Sequence, residues 1–289
     1  MRNACFLSVL RIRFIQISSN EESPGLSFFS VDVLPGLLDD DFMKIILSPA
    51  KKMVPEDTVP YRGLPCFIEE AEYLRDLMKQ MDREQLKELW KCSDKLVVEN
   101  LERLEHMDLK RGLSPAVLTY SGLAYQHMAP DVMTDDEMEY LDSHLRILSG
   151  MYGVLKPFDG VRPYRLEMQA LLSNRNGRDL YAFWSNRLYK EVCSEHELIV
   201  DLASKEYSSA VVPYLQKDDP YVECVFAVKN KGKLSVKGTL AKMARGSMVR
   251  WMAETKAEKK EDLKNFDRGW TFSPQHSSDT SYVFLNNDQ

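Results

Sequence analysis

The sequence predicts a mixed α/β fold: a single domain in which helices surround a mixed sheet. Three observations carry that expectation. Short apolar runs with strand character alternate with longer segments whose apolar residues recur at helical spacing. No internal repeat and no polar linker divides the chain. With 44% hydrophobic residues in 289, the chain is long enough to bury a substantial core.

The first 42 residues stand apart. Their apolar stretch, Ala4 to Leu10, is interrupted by Arg11 and Arg13. It is shorter than the roughly 20 residues a membrane span needs. The arginines also fall on the wrong side for a secretory signal, and no small-residue cleavage site follows. Residues 1–42 are therefore read as an over-extended reading frame without structure of its own. Met43 is taken as the natural start and 43–289 as the domain.

Ile45-Ile46-Leu47, closed by Ser48-Pro49, reads as a first buried strand. Residues 54–65 carry three prolines and a glycine and read as a loop. Residues 66–107 are mostly helical by spacing, with a capping box at Asp82 and Gln85. Val117 to Gly122 is expected to be a strand entering a turn. A second capping box, Thr134 with Glu137, opens a helix whose apolar face runs through Met138, Leu141, Leu145 and Leu148, with Gly150 as its stop. Tyr152 to Leu155 follows as a strand, and Leu180 to Leu188 as a helix. Leu198 to Leu202 is a buried strand. Val222–Val228 and Leu234–Val236 flank Lys229-Asn230-Lys231-Gly232 as a hairpin. A helix over about 240–255 and a strand at Tyr282–Leu285 complete the domain.

Composition excludes several classes of function. With Lys+Arg 38 against Asp+Glu 44, the net charge is -6, so any polyanion site must be a local patch. Five cysteines without a CxxC pair form neither a disulfide framework nor a zinc ribbon. The histidines lack HxH, HxxxH and HExxH spacing, so no metal site is read locally and no cofactor is expected. Glu102–His106 and Glu139–His144 come nearest to the Glu-x-x-His pairs of ferritin-like iron sites, and neither has the required partner.

The strongest chemical signal is a basic stretch. Residues 229–250 hold Lys229, Lys231, Lys233, Lys237, Lys242, Arg245 and Arg250 and no acid. On a helical wheel of about 100° per residue, Lys242, Arg245, Gly246 and Arg250 share one side, opposite Leu240, Met243, Ala244, Ser247, Met248, Trp251 and Met252. Gly246 inside that arc suits close approach of another backbone, including a phosphate backbone. The alternative is an ordinary solvated helix face beside a lysine-rich hairpin.

Other motifs are shorter. Ser149, Gly150 and Gly153 place two glycines in a tight turn whose N–H groups could grip phosphate oxygens. Arg162 and Arg165, with Glu167, could clamp a phosphate or carboxylate, or form a structural ion network. Asp201 and Glu206 follow a buried strand and could act as acid and base, or merely cap. Ser48 and Lys51 have serine–lysine spacing without its companion motifs.

Taken together, Ser48-Pro49-Ala50-Lys51, the run from His144 to Pro157, Arg162 to Met168 with its Glu167, Leu202 to Tyr207, and Lys242 to Gly246 resemble the bacterial peroxide stress protein YaaA family. The resemblance covers about Met43 to Leu285. It implies a cytoplasmic protein of the hydrogen peroxide response that keeps free iron low and limits iron-driven DNA damage. It further implies a fold outside the common superfolds, carrying a helix–hairpin–helix-like element and a basic cleft for duplex or branched DNA. No catalytic residue comes with it. The expected DNA or phosphate contacts are Lys237, Lys242, Arg245, Gly246, Arg250, Ser149, Gly150, Gly153, Arg162 and Arg165, the helix contacts resting on the wheel. The competing expectation is an enzyme on a nucleotide, nucleic acid or other phosphorylated substrate, with Asp201 or Glu206 as acid or base.

Overall fold

Apolar runs too short for a helix and flanked by polar turns become the central strands. A computed structural model describes residues 43–287 apart from 57, 195 and 231. The N-terminal extension and Lys231 therefore lie outside the described residues. In chain order the strands are β1 (Met43–Leu47), β2 (Ser114–Pro115), β3 (Leu145–Ser149), β4 (Gly153–Leu155), β5 (Gly160–Val161), β6 (Leu198–Leu202), β7 (Tyr221–Asn230), β8 (Lys233–Ser235), β9 (Trp270–Phe272) and β10 (Ser281–Asn286). The helices are α1 (Ile68–Lys79), α2 (Arg83–Trp90), α3 (Asp94–Glu105), α4 (Ala116–Thr119), α5 (Leu123–Met128), α6 (Asp135–His144), α7 (Leu180–Trp184), α8 (Arg187–Val192), α9 (Lys205–Ser208) and α10 (Gly238–Thr255).

Eight strands form one mixed sheet in the order β4-β3-β1-β6-β7-β10-β9, with β8 paired to β7. β1 lies parallel between β3 and β6, Ile45 standing opposite Leu145 on one side and Val200 on the other. β6, β7 and β10 continue the parallel set. β4, β8 and β9 run antiparallel to their neighbours. Strands buried on both faces need continuous apolar sequence. Ile45, Ile46 and Leu47 are enclosed accordingly, as are Ile199, Val200 and Leu202. The described chain forms one α/β domain around this sheet.

Both expected capping boxes form: Asp82 with Gln85 opens α2, and Thr134 with Glu137 opens α6. Three elements differ from expectation. The helix expected over Leu180–Leu188 is two, α7 and α8, broken at Ser185, whose φ is 47°. α6 ends at His144, and Leu145–Ser149 is the fully buried strand β3, not the last turns of the helix. Leu145 and Leu148 fit a helical stripe, but all five residues from Leu145 to Ser149 are buried, which one helix face cannot achieve. Gly150 consequently sits in the turn of the β3–β4 hairpin and stops no helix. Val117–Gly122, expected as a strand, begins inside α4; only Tyr120 makes a bridge, to Met53.

Candidate functional site

The parallel strands β1, β3 and β6 all end on the same side of the sheet. Ser48 follows β1, Ser149 closes β3, and Ser204 lies two residues past β6. Because β3 and β6 flank β1 on opposite sides, chain connectivity reverses there, and such switch points are where α/β sheets open a crevice.

Ser48 and Ser204 tie the two loops together. The Ser204 amide donates to Ser48 Oγ at 2.8 Å, and the two hydroxyls lie 3.1 Å apart. Tyr125 OH donates to the Ser48 carbonyl at 3.1 Å. Ser149 does different work. Its Oγ accepts from the amides of Met151 and Tyr152 and bonds Tyr164 OH at 2.7 Å; Tyr164 OH in turn bonds Tyr120 OH at 2.9 Å. This buried chain pins the segment after Tyr164 over the end of β3.

Gly150 completes the fit. A β-carbon there would stand 2.5 Å from the Leu166 carbonyl oxygen and 3.0 Å from the Glu167 carbonyl carbon. The backbone of 166–167 therefore lies directly on Gly150. That contact positions Glu167, whose Oε1 takes Arg165 Nη2 at 3.0 Å and Lys51 Nζ at 3.3 Å. Arg165 also donates to the Trp90 carbonyl, at the end of α2, while its buried Nε has no hydrogen-bond partner among the described residues. The Lys51 side chain is 63% exposed, against 13% for Glu167. Glu206 accepts from the Gln169 amide at 3.3 Å. Burial and then the neighbouring Glu167 carboxylate raise the Glu206 pKa, against Lys51. Ser48, Lys51, Arg165, Glu167 and Glu206, drawn from three separate motifs, thus converge on one place. Tyr207 is buried just behind them.

Several expected site residues go elsewhere. Gly150 and Gly153 form a buried turn in which the amides of 151 and 152 already donate to Ser149, so these two N–H groups are not offered to phosphate. Gly153 has φ +74, and the rings of Phe67 and Trp184 close on it. Arg162 does not share a clamp with Arg165: it donates to the Gly112 carbonyl and lines a separate cleft with Glu102, Arg103 and His106. Asp201 is enclosed. Its oxygens accept from the Ala203 amide and from Tyr221 OH, each at 2.8 Å, and burial pushes its carboxyl up to about 6. It does not pair with Glu206 as acid and base.

The basic helix face is also rearranged. α10 packs against α5 as well as the sheet, so it has two covered sides. Gly246 makes the expected close approach, but to a protein backbone: the carbonyl of Ala124 in α5. Burial depresses the Arg245 pKa, opposed by the carboxylates of Asp201 and Glu223, and its Nε finds no hydrogen-bond partner among the described residues. Arg250 bonds Glu254 at 2.7 Å and the carbonyls of Met128 and Ala129 at the end of α5. Of the helix cations in the wheel, only Lys242 is exposed.

What remains exposed is the preceding arm. Lys229, Lys233, Lys237 and Lys242 are all exposed, and none forms an ion pair with the described residues. Glu223 of β7 pairs with Asp201 near the end of β6, and β7 continues to Asn230. At about 3.3 Å per residue, the β7–β8 hairpin reaches about 20 Å beyond the end of β6, on the carboxyl side of the sheet. The hairpin itself was legible in sequence; that its lysines outlast the arginines as free cations was not.

Among the described residues, no group of three or more His, Cys, Asp or Glu side chains could hold a metal ion. Nor is any helix among them long and apolar enough to cross a membrane.

Comparison with known proteins agrees with the motif content. The family described as peroxide stress protein YaaA matches residues 43–276. A UPF0246 protein of Agathobacter rectalis is 49% identical over 245 residues, covering 84% of this chain and 98% of its own. One from Lachnoclostridium phytofermentans is 46% identical, covering 84% and 96%. A third, from Pediococcus pentosaceus, is 46% identical over 248 residues, covering 85% and 99%. With its motif residues assembled at the strand ends and these relatives matched nearly end to end, the chain belongs to the peroxide stress protein YaaA family.

Proposed function

We propose that this peroxide-stress protein limits iron-driven oxidative damage by binding duplex or branched DNA without sequence preference, through the lysine arm. The observation that carries the reading is the set of four exposed lysines that form no ion pair with the described residues, in a chain whose net charge is -6. Flexible lysines contact phosphates as point charges and read no bases. Each phosphate they neutralise releases condensed cations, and ferrous iron held on the backbone would leave with them. Leu234 and Val236 stand exposed between the lysines, 37% and 56% accessible. Apolar side chains of this kind insert at unstacked steps, which favours branched over perfect duplex.

A gel-shift titration at low salt tests this. Lys229→Glu with Lys233→Glu is expected to weaken duplex binding at least tenfold, equally for unrelated sequences, with no change in thermal stability. Unchanged affinity in the double variant overturns the reading.

A further inference from the structure

We propose that the strand-end cluster is a second binding site, for a small sugar phosphate, free or as the sugar–phosphate portion of a mononucleotide. The phosphate is held by Lys51, and the sugar hydroxyls donate to Glu167 and Glu206.

Four observations support it. First, the site stands at the switch point of the parallel sheet, outside the ends of β1, β3 and β6. Second, its ammonium is available. Lys51 is tethered to the cluster by a single 3.3 Å contact with Glu167 and remains 63% exposed, so two of its three N–H donors can turn to a ligand. Third, its acceptors are preorganised. Glu167 is already held by buried Arg165, and Glu206 is fixed by the Gln169 amide, so neither needs to be ordered on binding. Fourth, the backbone is shaped to build this arrangement. Gly150 admits the 166–167 backbone at a distance no side chain would allow, and the Ser149–Tyr164–Tyr120 chain anchors that segment.

The mixed charge of the cluster selects the ligand class. A bare phosphate would meet Lys51 but also two carboxylates, Glu167 and Glu206, which repel it. A ligand that is anionic at one end and carries hydroxyl donors at the other satisfies both sets of groups. Lys205, exposed beside Ser204, adds a cation on the same rim. The proposal is independent of DNA binding by the lysine arm.

Isothermal titration of the full-length protein provides the test, with ribose 5-phosphate, adenosine 5′-monophosphate, adenosine and inorganic phosphate as probes. Saturable binding is expected for at least one of the two sugar phosphates, weakened at least tenfold by Lys51→Ala and by Glu206→Gln. Binding of ribose 5-phosphate alone identifies a free sugar phosphate as the ligand. Tighter binding of the nucleotide identifies a nucleotide. The Lys229→Glu, Lys233→Glu variant should bind the same probe as the unaltered protein does, so loss of DNA binding and loss of this site are read separately. The site is overturned if neither sugar phosphate binds saturably, if inorganic phosphate or adenosine binds as tightly as they do, or if Lys51→Ala leaves affinity unmoved.

Discussion

Gly246 and Ala124 bring α10 and α5 into backbone contact: a β-carbon at 246 would overlap the Ala124 carbonyl oxygen. Nothing smaller than the missing side chain allows the two helices this approach. Gly246→Ala is therefore expected to push them apart. A glycine within a helix ordinarily gains about 1 kcal/mol on replacement by alanine. Here overpacking against a rigid carbonyl reverses the sign and costs about 3 kcal/mol. Urea unfolding of the two proteins checks it, and an equal or higher midpoint for the variant would contradict the contact.

Arg245 and Lys242 sit three residues apart on α10 and behave oppositely. Arg245 is drawn inward toward Asp201 and Glu223, while Lys242 faces solvent. Arg245→Glu would place a carboxylate beside buried Asp201 and the exposed Glu223. It should destabilise the fold by more than about 4 kcal/mol, leaving little folded protein to assay. Lys242→Glu should change stability by no more than about 0.5 kcal/mol. Thermal denaturation of the two single variants separates the residues. Similar melting temperatures would return Arg245 to the surface.

This pair shows what the sequence revealed and what it concealed. The strands β1 and β6, both capping boxes and the lysine hairpin follow from local rules, because each depends on neighbours in the chain. The end of α6 does not. Leu145 and Leu148 satisfy a helical period, and only pairing with β1 makes them a strand. The wheel placed Gly246, Arg245 and Arg250 correctly on one side of α10. It could not show that α5 and the buried carboxylate of Asp201 occupy that side. The motifs at Ser48, Arg165 and Glu206 were each legible singly. Their convergence depends on the order of β3, β1 and β6 in the sheet, which no local spacing encodes.

Asp159 supplies a pH dependence whose sign can be worked out. It is 7% exposed, and its Oδ2 accepts from the Lys156 amide at 2.8 Å in the turn after β4. Burial pushes its carboxyl up to about 7, against the pull of that hydrogen bond and of the Lys156 and Arg146 charges. The unfolded chain holds this proton only below about pH 4. Between those limits the folded state binds more protons than the unfolded, so stability falls as pH rises. The contribution is fully present below about pH 4 and lost once pH passes about 7. The displacement corresponds to about 4 kcal/mol at most. In Asp159→Asn the side-chain oxygen still accepts from Lys156, but no proton is exchanged. Chemical denaturation at pH 4.5 and pH 7.5 should show the unaltered protein losing more stability than the variant over that interval. Parallel losses in the two proteins would mean that Asp159 ionises in the fold as readily as in the unfolded chain.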